Sequence, residues 1–249
     1  RSESSCPLSR WREGWGEGGM NFKTRSKSTV PAIAMLEDRP FIQYVERHES
    51  LPSTNDRALV LARDPAIPLP ALVVTKIQTA GRGCGTHVWW SNEGALTFSV
   101  ILDALHPLGT YLPEHINSPL RPENWPQLSL ATAVSVCNVL DALVPSVPWR
   151  IKWPNDVVIL DGSTLLKIAG ILIETPVPIP STSQRIVVGI GINVNNSLAK
   201  APPDVRERGI SLIEIGIGDD PSDFSPPTIV DSPLLRREAY SLNVVLELC

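Results

Sequence analysis

The 249 residues carry 22 Lys and Arg against 26 Asp and Glu, a formal net charge of −4, with 43% hydrophobic and 19% charged residues. That mixture excludes a disordered chain and is long enough for one domain with a sizeable core. It lacks the broad positive field on which nucleic-acid binding leans, and no apolar run approaches the ~18–20 residues of a membrane span.

Residues 1 to about 36 have no periodic apolar face and no apolar stretch suited to a secretory signal. They are expected to form a disordered extension, with Met20 or Met35 as candidate starts. Residues 37–249 form the expected folded domain. Phe41–Val45 reads as a short strand, followed by a helix over Thr54–Arg63 that Ser53 or Thr54 would cap. Its apolar face would carry Ala58, Leu59, Leu61 and Ala62. Ala71–Ile77 and Ala95–Leu102 read as strands on either side of a glycine-rich loop, Gln78–Trp90. Pro126–Leu143 lacks Gly and is apolar nearly all round, which predicts a well-buried helix.

Trp149–Trp153 is a predicted strand, and Val157–Leu160 and Leu165–Glu174 flank the hairpin signal Asp161-Gly162. In strict alternation, Leu166, Ile168, Gly170, Leu172 and Glu174 face one way, and Lys167, Ala169, Ile171 and Ile173 the other. Arg185–Val194 is a further apolar strand, and Ser232–Cys249 has the pattern of an amphipathic helix. Strands in hairpins, interrupted by two helices, predict an α+β fold: a mixed, largely antiparallel sheet backed by helices. Cys6, Cys84, Cys137 and Cys249 show no CxxC spacing, a poor disulfide framework and a poor zinc site that fit a reducing compartment. The four histidines form no HExxH pair, so no bound transition metal is expected.

Four stretches carry chemistry. Gln78-Thr-Ala-Gly81-Arg82-Gly83-Cys84-Gly85 lets backbone N–H groups approach a ligand, with Arg82 free to fork onto a phosphate or carboxylate. A flexible loop with a solvated arginine fits that stretch equally well. Lys152-Trp-Pro-Asn155-Asp156 crowds more polar and aromatic groups at one sheet end than a turn needs. Lys167 lies amid apolar strand residues, either snorkelling from an edge or pointing into a site. Gly189-Ile-Gly-Ile-Asn193-Val-Asn195 places glycines inside a strand, where ligand or backbone comes close.

Together with Ser53-Thr54-Asn55 and Lys167-Ile-Ala-Gly-Ile-Leu-Ile-Glu174, these stretches occur in the order found in biotin protein ligases, and the chain resembles that family's catalytic domain over roughly residues 41–217. The resemblance implies an ATP-dependent ligase that makes biotinyl-5′-AMP from biotin and ATP with Mg²⁺. It then transfers biotin to one lysine of a carboxylase's biotin carboxyl carrier protein. It implies catalytic roles for Arg82, Lys167, Asp156 and Lys152, and biotin binding by Ser53, Thr54, Asn55, Gln78, Arg82, Lys167 and Gly170. On the nucleotide side it implies Gly81, Gly83, Trp89, Asn155 and Asn193.

Cys84 and His87 depart from the family pattern, Cys84 standing where many members have another arginine. A DNA-binding module and the family's C-terminal β-barrel are not evident, so the expectation is a cytoplasmic enzyme without DNA or membrane partners. A homodimer stays open. The alternatives are a lipoate or octanoate transferase of the same fold and a truncated, non-catalytic fragment that binds biotin or carrier.

Overall fold

The computed structural model describes residues 42–104, 122–177 and 184–215. Strand β1 (Tyr44–Leu51) leads to helix α1 (Thr54–Leu61), then β2 (Ala71–Gln78), β3 (Leu96–Asp103) and the long helix α2 (Trp125–Leu143). Strands β4 (Arg150–Lys152), β5 (Asp156–Asp161), β6 (Thr164–Glu174) and β7 (Arg185–Ile192) follow, then the short helices α3 (Pro203–Arg208) and α4 (Leu212–Ile215). The seven strands make one sheet in the order β1-β2-β3-β7-β6-β5-β4. The β1–β2 pair is parallel and every other pair is antiparallel. The fold is α+β, a mixed sheet with helices against it, as the strand-rich pattern predicts.

The two sheet faces are covered differently. Leu72, Phe98, Val188, Ile190, Ala169, Ile171, Val157 and Ile159 form the main core with Ala133, Val136, Val139, Leu140 and Leu143 of α2. Each fully buried Val, Leu or Ile there contributes about 1.5–3 kcal/mol. Helix α2 buries one stripe and leaves Ala131, Val134, Ser135 and Asn138 exposed, a correction to the expectation of burial all round. It lies on the sheet as a single layer, so its outer side has nothing to pack against among the described residues. On the opposite face, Ala58 and Leu61 of α1 and Ala62 at its C-terminal cap cover Ala71, Val73, Ile101 and Val187. Ser53 caps α1, its hydroxyl accepting from the Asp56 N–H at 3.4 Å.

Strand β1 begins and ends later than Phe41–Val45. Its partner is β2, in a register running from Tyr44↔Ala71 to Leu51↔Gln78. Its polar residues are accommodated because β1 is an edge strand, where Glu46 pairs with Arg57 at 2.6 Å and with His48 at 2.5 Å. The β5–β6 hairpin turns at Gly162, which has φ 57° as that turn type requires. The expected extension over residues 1–36 and the helix over Ser232–Cys249 lie outside the described residues. Among the described residues, no helix is long and apolar enough to cross a membrane.

Candidate functional site

Beyond the reach of α1, the strand residues on its side of the sheet become small. Cross-strand register runs Val73↔Ser99↔Gly189↔Leu172 and, one step further, Thr75↔Thr97↔Gly191↔Gly170. The switch from Val187 to Gly189 and Gly191 along β7 turns an aliphatic surface into a low floor. A Cβ at Gly189 would overlap the Asn55 amide, and one at Gly191 would overlap the Trp89 indole. The glycines are therefore needed for close approach, as the sequence suggests. An open cleft of about 170 Å³ lies over this floor.

Lys167 reaches the cleft through a β-bulge. Val157 pairs with Ala169 and Val158 with Lys167, which leaves Ile168 as an extra residue in β6. Strict alternation would set Lys167 on the same face as Ala169 and Ile171, against α2. The bulge instead shifts the parity by one, so Lys167 shares a face with Gly170 while Ile168 and Ala169 are both fully buried. The expectation that Lys167 faces away from Gly170 is thus corrected. Its Nζ forms an ion pair with Asp156 Oδ1 at 2.6 Å and lies 5.5 Å from the centroid of the Trp89 ring.

Arg82 arrives from the glycine-rich loop, which is a folded hairpin. Arg82 bridges to Val88, the Gly83 N–H donates to the His87 carbonyl at 2.8 Å, and the Trp89 N–H donates to Gly81 at 2.9 Å. The guanidinium donates through Nη2 to Glu174 Oε2, and its Nε lies 2.8 Å from Asp56 Oδ1. The Asp56 contact is an ion pair without hydrogen-bond alignment, since Nε satisfies no acceptor geometry. Arg82, Lys167 and Asp156 line one cleft, and Asp56 and Glu174, outside its lining, pair with Arg82. Cys84, in the same loop, packs near Leu172.

A buried polar chain lines the other wall. The Thr54 N–H and hydroxyl donate to Gln78 Oε1 at 2.7 and 3.1 Å. The Ser99 hydroxyl lies 2.8 Å from Thr54 Oγ1 and 2.6 Å from Asn55 Oδ1, and donates to one of them at a time. Asn55 Nδ2 donates to the Leu172 carbonyl at 3.3 Å and to Glu174 Oε2 at 2.9 Å. At the far end, Asn155 is fixed by donating to the Ile171 carbonyl at 2.8 Å, and the Ser129 hydroxyl of α2 donates to the Pro154 carbonyl at 3.1 Å.

Of the residues singled out in the sequence, Ser53, Thr54, Asn55, Gln78, Arg82, Gly83, Trp89, Asn155, Asp156, Lys167 and Gly170 line this one cleft. Three do not. Lys152 is exposed on β4, opposite Asp156 in register. Gly81 is buried beneath Trp89. Asn193 is buried and accepts from Asn196 Nδ2 at 3.0 Å, just past the end of β7. Sequence reasoning assigned no role to Ser99, Asp56, Glu174 or Ser129. A lone serine inside the apolar run Leu96–Asp103 was the available signal for Ser99; the carboxylates carry no such signal until the strands are paired.

Fold and cleft together define a class: a sheet-based domain whose glycine floor, neutral polar wall and paired cations suit a small ligand with a polar head and an acidic group. Residues 48–193 match the Biotin/lipoate A/B protein ligase family, and the chain belongs to that family. It is 34% identical over 171 residues to the bifunctional ligase/repressor BirA of Bacillus subtilis, covering 68% of this chain and 46% of that protein. It is 33% identical over 183 residues to the biotin–[acetyl-CoA-carboxylase] ligase of Paracoccus denitrificans, covering 69% and 64%. Among solved structures, the biotin protein ligase of Aquifex aeolicus in complex with biotin and ATP superposes with a TM-score of 0.52 at 28% identity. That match covers 70% of this chain and 61% of that one. The chain thus spans about half to two thirds of the length of these relatives.

Proposed function

We propose that this chain is an ATP-dependent biotin protein ligase, joining biotin to ATP and then to a lysine of a biotin carboxyl carrier protein. In the first step a biotin carboxylate oxygen attacks the α-phosphorus, the bond to the β-phosphate breaks, and pyrophosphate leaves. In the second, the amine of the acceptor lysine attacks the acyl carbon and AMP leaves. The observation that carries the reading is the position of Arg82 and Lys167, distant in sequence, on one cleft. Two anions must meet in the first step, and fixed cations lower their repulsion most as charge builds on the phosphoryl oxygens.

The neutral wall formed by Ser53, Thr54, Asn55 and Gln78 suits the uncharged bicyclic urea of biotin, and the glycine floor leaves room for its rings. Asn155, Gly83 and Trp89 line the remainder, where the nucleotide would lie, with Gly81 and Asn193 holding the backbone behind them. Mg²⁺ belongs to this reading as counter-ion of the triphosphate. In this reading Asp156, which pairs with Lys167, takes the proton of the acceptor ammonium, and the exposed Lys152, opposite it on β4, assists the transfer.

In this reading the enzyme is cytoplasmic and acts on neither DNA nor membranes, and β1 and β4, the outermost strands among the described residues, are where a homodimer would join. Incubation with ATP, Mg²⁺ and either biotin or lipoate tests the reading. Pyrophosphate release that requires biotin supports it; transfer of a lipoyl or octanoyl group to a carrier without pyrophosphate release supports the transferase alternative. Biotin binding without any release supports a non-catalytic fragment.

A further inference from the structure

Glu174 ends β6 on the cleft face, in the register row of Ala71, Ile101 and Val187, which α1 covers. A carboxylate at the border of an aliphatic patch is costly unless it is well bonded. Its Oε2 accepts from Arg82 Nη2 and, at 2.9 Å, from Asn55 Nδ2. The Glu174 side chain is 17% exposed, against 51% for Asp56, the other carboxylate beside Arg82, whose contact lacks hydrogen-bond alignment. The directed bond therefore comes from Glu174.

We propose that Glu174 is a positioning residue: one carboxylate oxygen holds the Arg82 loop and the α1 amide of Asn55 in a fixed relation above the glycine floor. Arg82 is anchored through Nη2 and keeps Nη1 for an incoming anion. Asn55 in turn occupies the space left by Gly189, so the same oxygen ties the cation to the polar wall. The role is distinct from catalysis, since Glu174 is not among the residues lining the cleft. The inference rests on the ligase reading only in naming biotin as the acid that Arg82 meets.

The test is calorimetric binding of biotin and of its neutral alcohol, biotinol, to the full chain and to the variants Glu174→Ala and Glu174→Gln. Glu174→Ala should weaken biotin at least about tenfold, the scale of one charged hydrogen bond, and biotinol, which loses only the ordering of Asn55, about three times less than biotin. In Glu174→Gln the amide oxygen accepts both bonds, so biotin should stay within about threefold of the parent. If Glu174→Ala does not fold, Glu174→Asp, which withdraws the acceptor by one methylene, carries the same expectation. Equal losses for the two ligands, or biotin binding as tight as or tighter than the parent in Glu174→Ala, would overturn the proposal alone. Failure of the parent to bind either ligand overturns the ligase reading and this inference with it.

Discussion

Replacing Gly189 by Ala puts a methyl group against the Asn55 amide, whose 4% exposure leaves it no free direction. Displacing that amide breaks its bonds to the Leu172 carbonyl, to Glu174 and to Ser99. Ser99 keeps Thr54 as a partner at 2.8 Å, so the net loss is one neutral bond and one charge-assisted bond. At about 1 kcal/mol for the first and 1.5–3 for the second, the variant should lose about 3 kcal/mol. For a domain of roughly 150–250 residues that lowers the melting temperature by about 6–12 °C.

Gly170→Ala is the control on the neighbouring strand. A Cβ there meets Lys167 Cε and Nζ at 2.9 Å, the mobile end of a long side chain, so Lys167 can swing aside. Its melting temperature should stay within about 3 °C of the parent, by the same scaling, while biotin-dependent pyrophosphate release falls because the ammonium is displaced. Thermal melts of the two variants against the parent decide the matter. Equal stability of Gly189→Ala and parent would refute the packing of Asn55 on β7.

Ser129→Ala removes the buried donor to the Pro154 carbonyl and should cost about 1–2 kcal/mol in a urea titration, at unchanged slope. Glu46 has its carboxyl held below the usual 4.5, chiefly by the hydrogen bond from Arg57, opposed by burial and assisted by His48. A depressed carboxylate pKa adds stability that is present above the usual value and lost as pH falls through the folded one. The stability gap between the parent and Glu46→Gln should therefore be full above the usual carboxylate value of 4.5 and narrow as pH falls below it, read from chemical denaturation at each pH.

The legible parts of the fold are those where local chemistry and tertiary structure agree. Ser53 caps a helix because its hydroxyl is the nearest acceptor for the orphan amide of Asp56. Asp161-Gly162 makes a hairpin because Gly accepts φ 57°. The glycines of β7 announce a close approach, and both Asn55 and Trp89 make one.

What stayed hidden depends on partners far along the chain. The bulge at Ile168 decides which face Lys167 occupies, yet it arises from the pairing of β6 with β5, and alternation within β6 alone points the lysine the wrong way. The carboxylates beside Arg82 come from α1 and from the end of β6, so no spacing within the glycine loop reveals that the cation is already engaged. Helices α3 and α4 are too short for a periodic signal.

The central claim is that Arg82 and Lys167 act together on one reaction centre. Its most direct test is the rate of biotin-dependent pyrophosphate release, with saturating ATP and Mg²⁺, by the parent, Arg82→Ala and Lys167→Ala. Each substitution should lower the rate about 10²–10³-fold, the scale of one lost electrostatic contact to a developing oxyanion. Rates within about threefold of the parent for either variant would contradict it, because a cation worth so little is not acting at the reacting phosphorus.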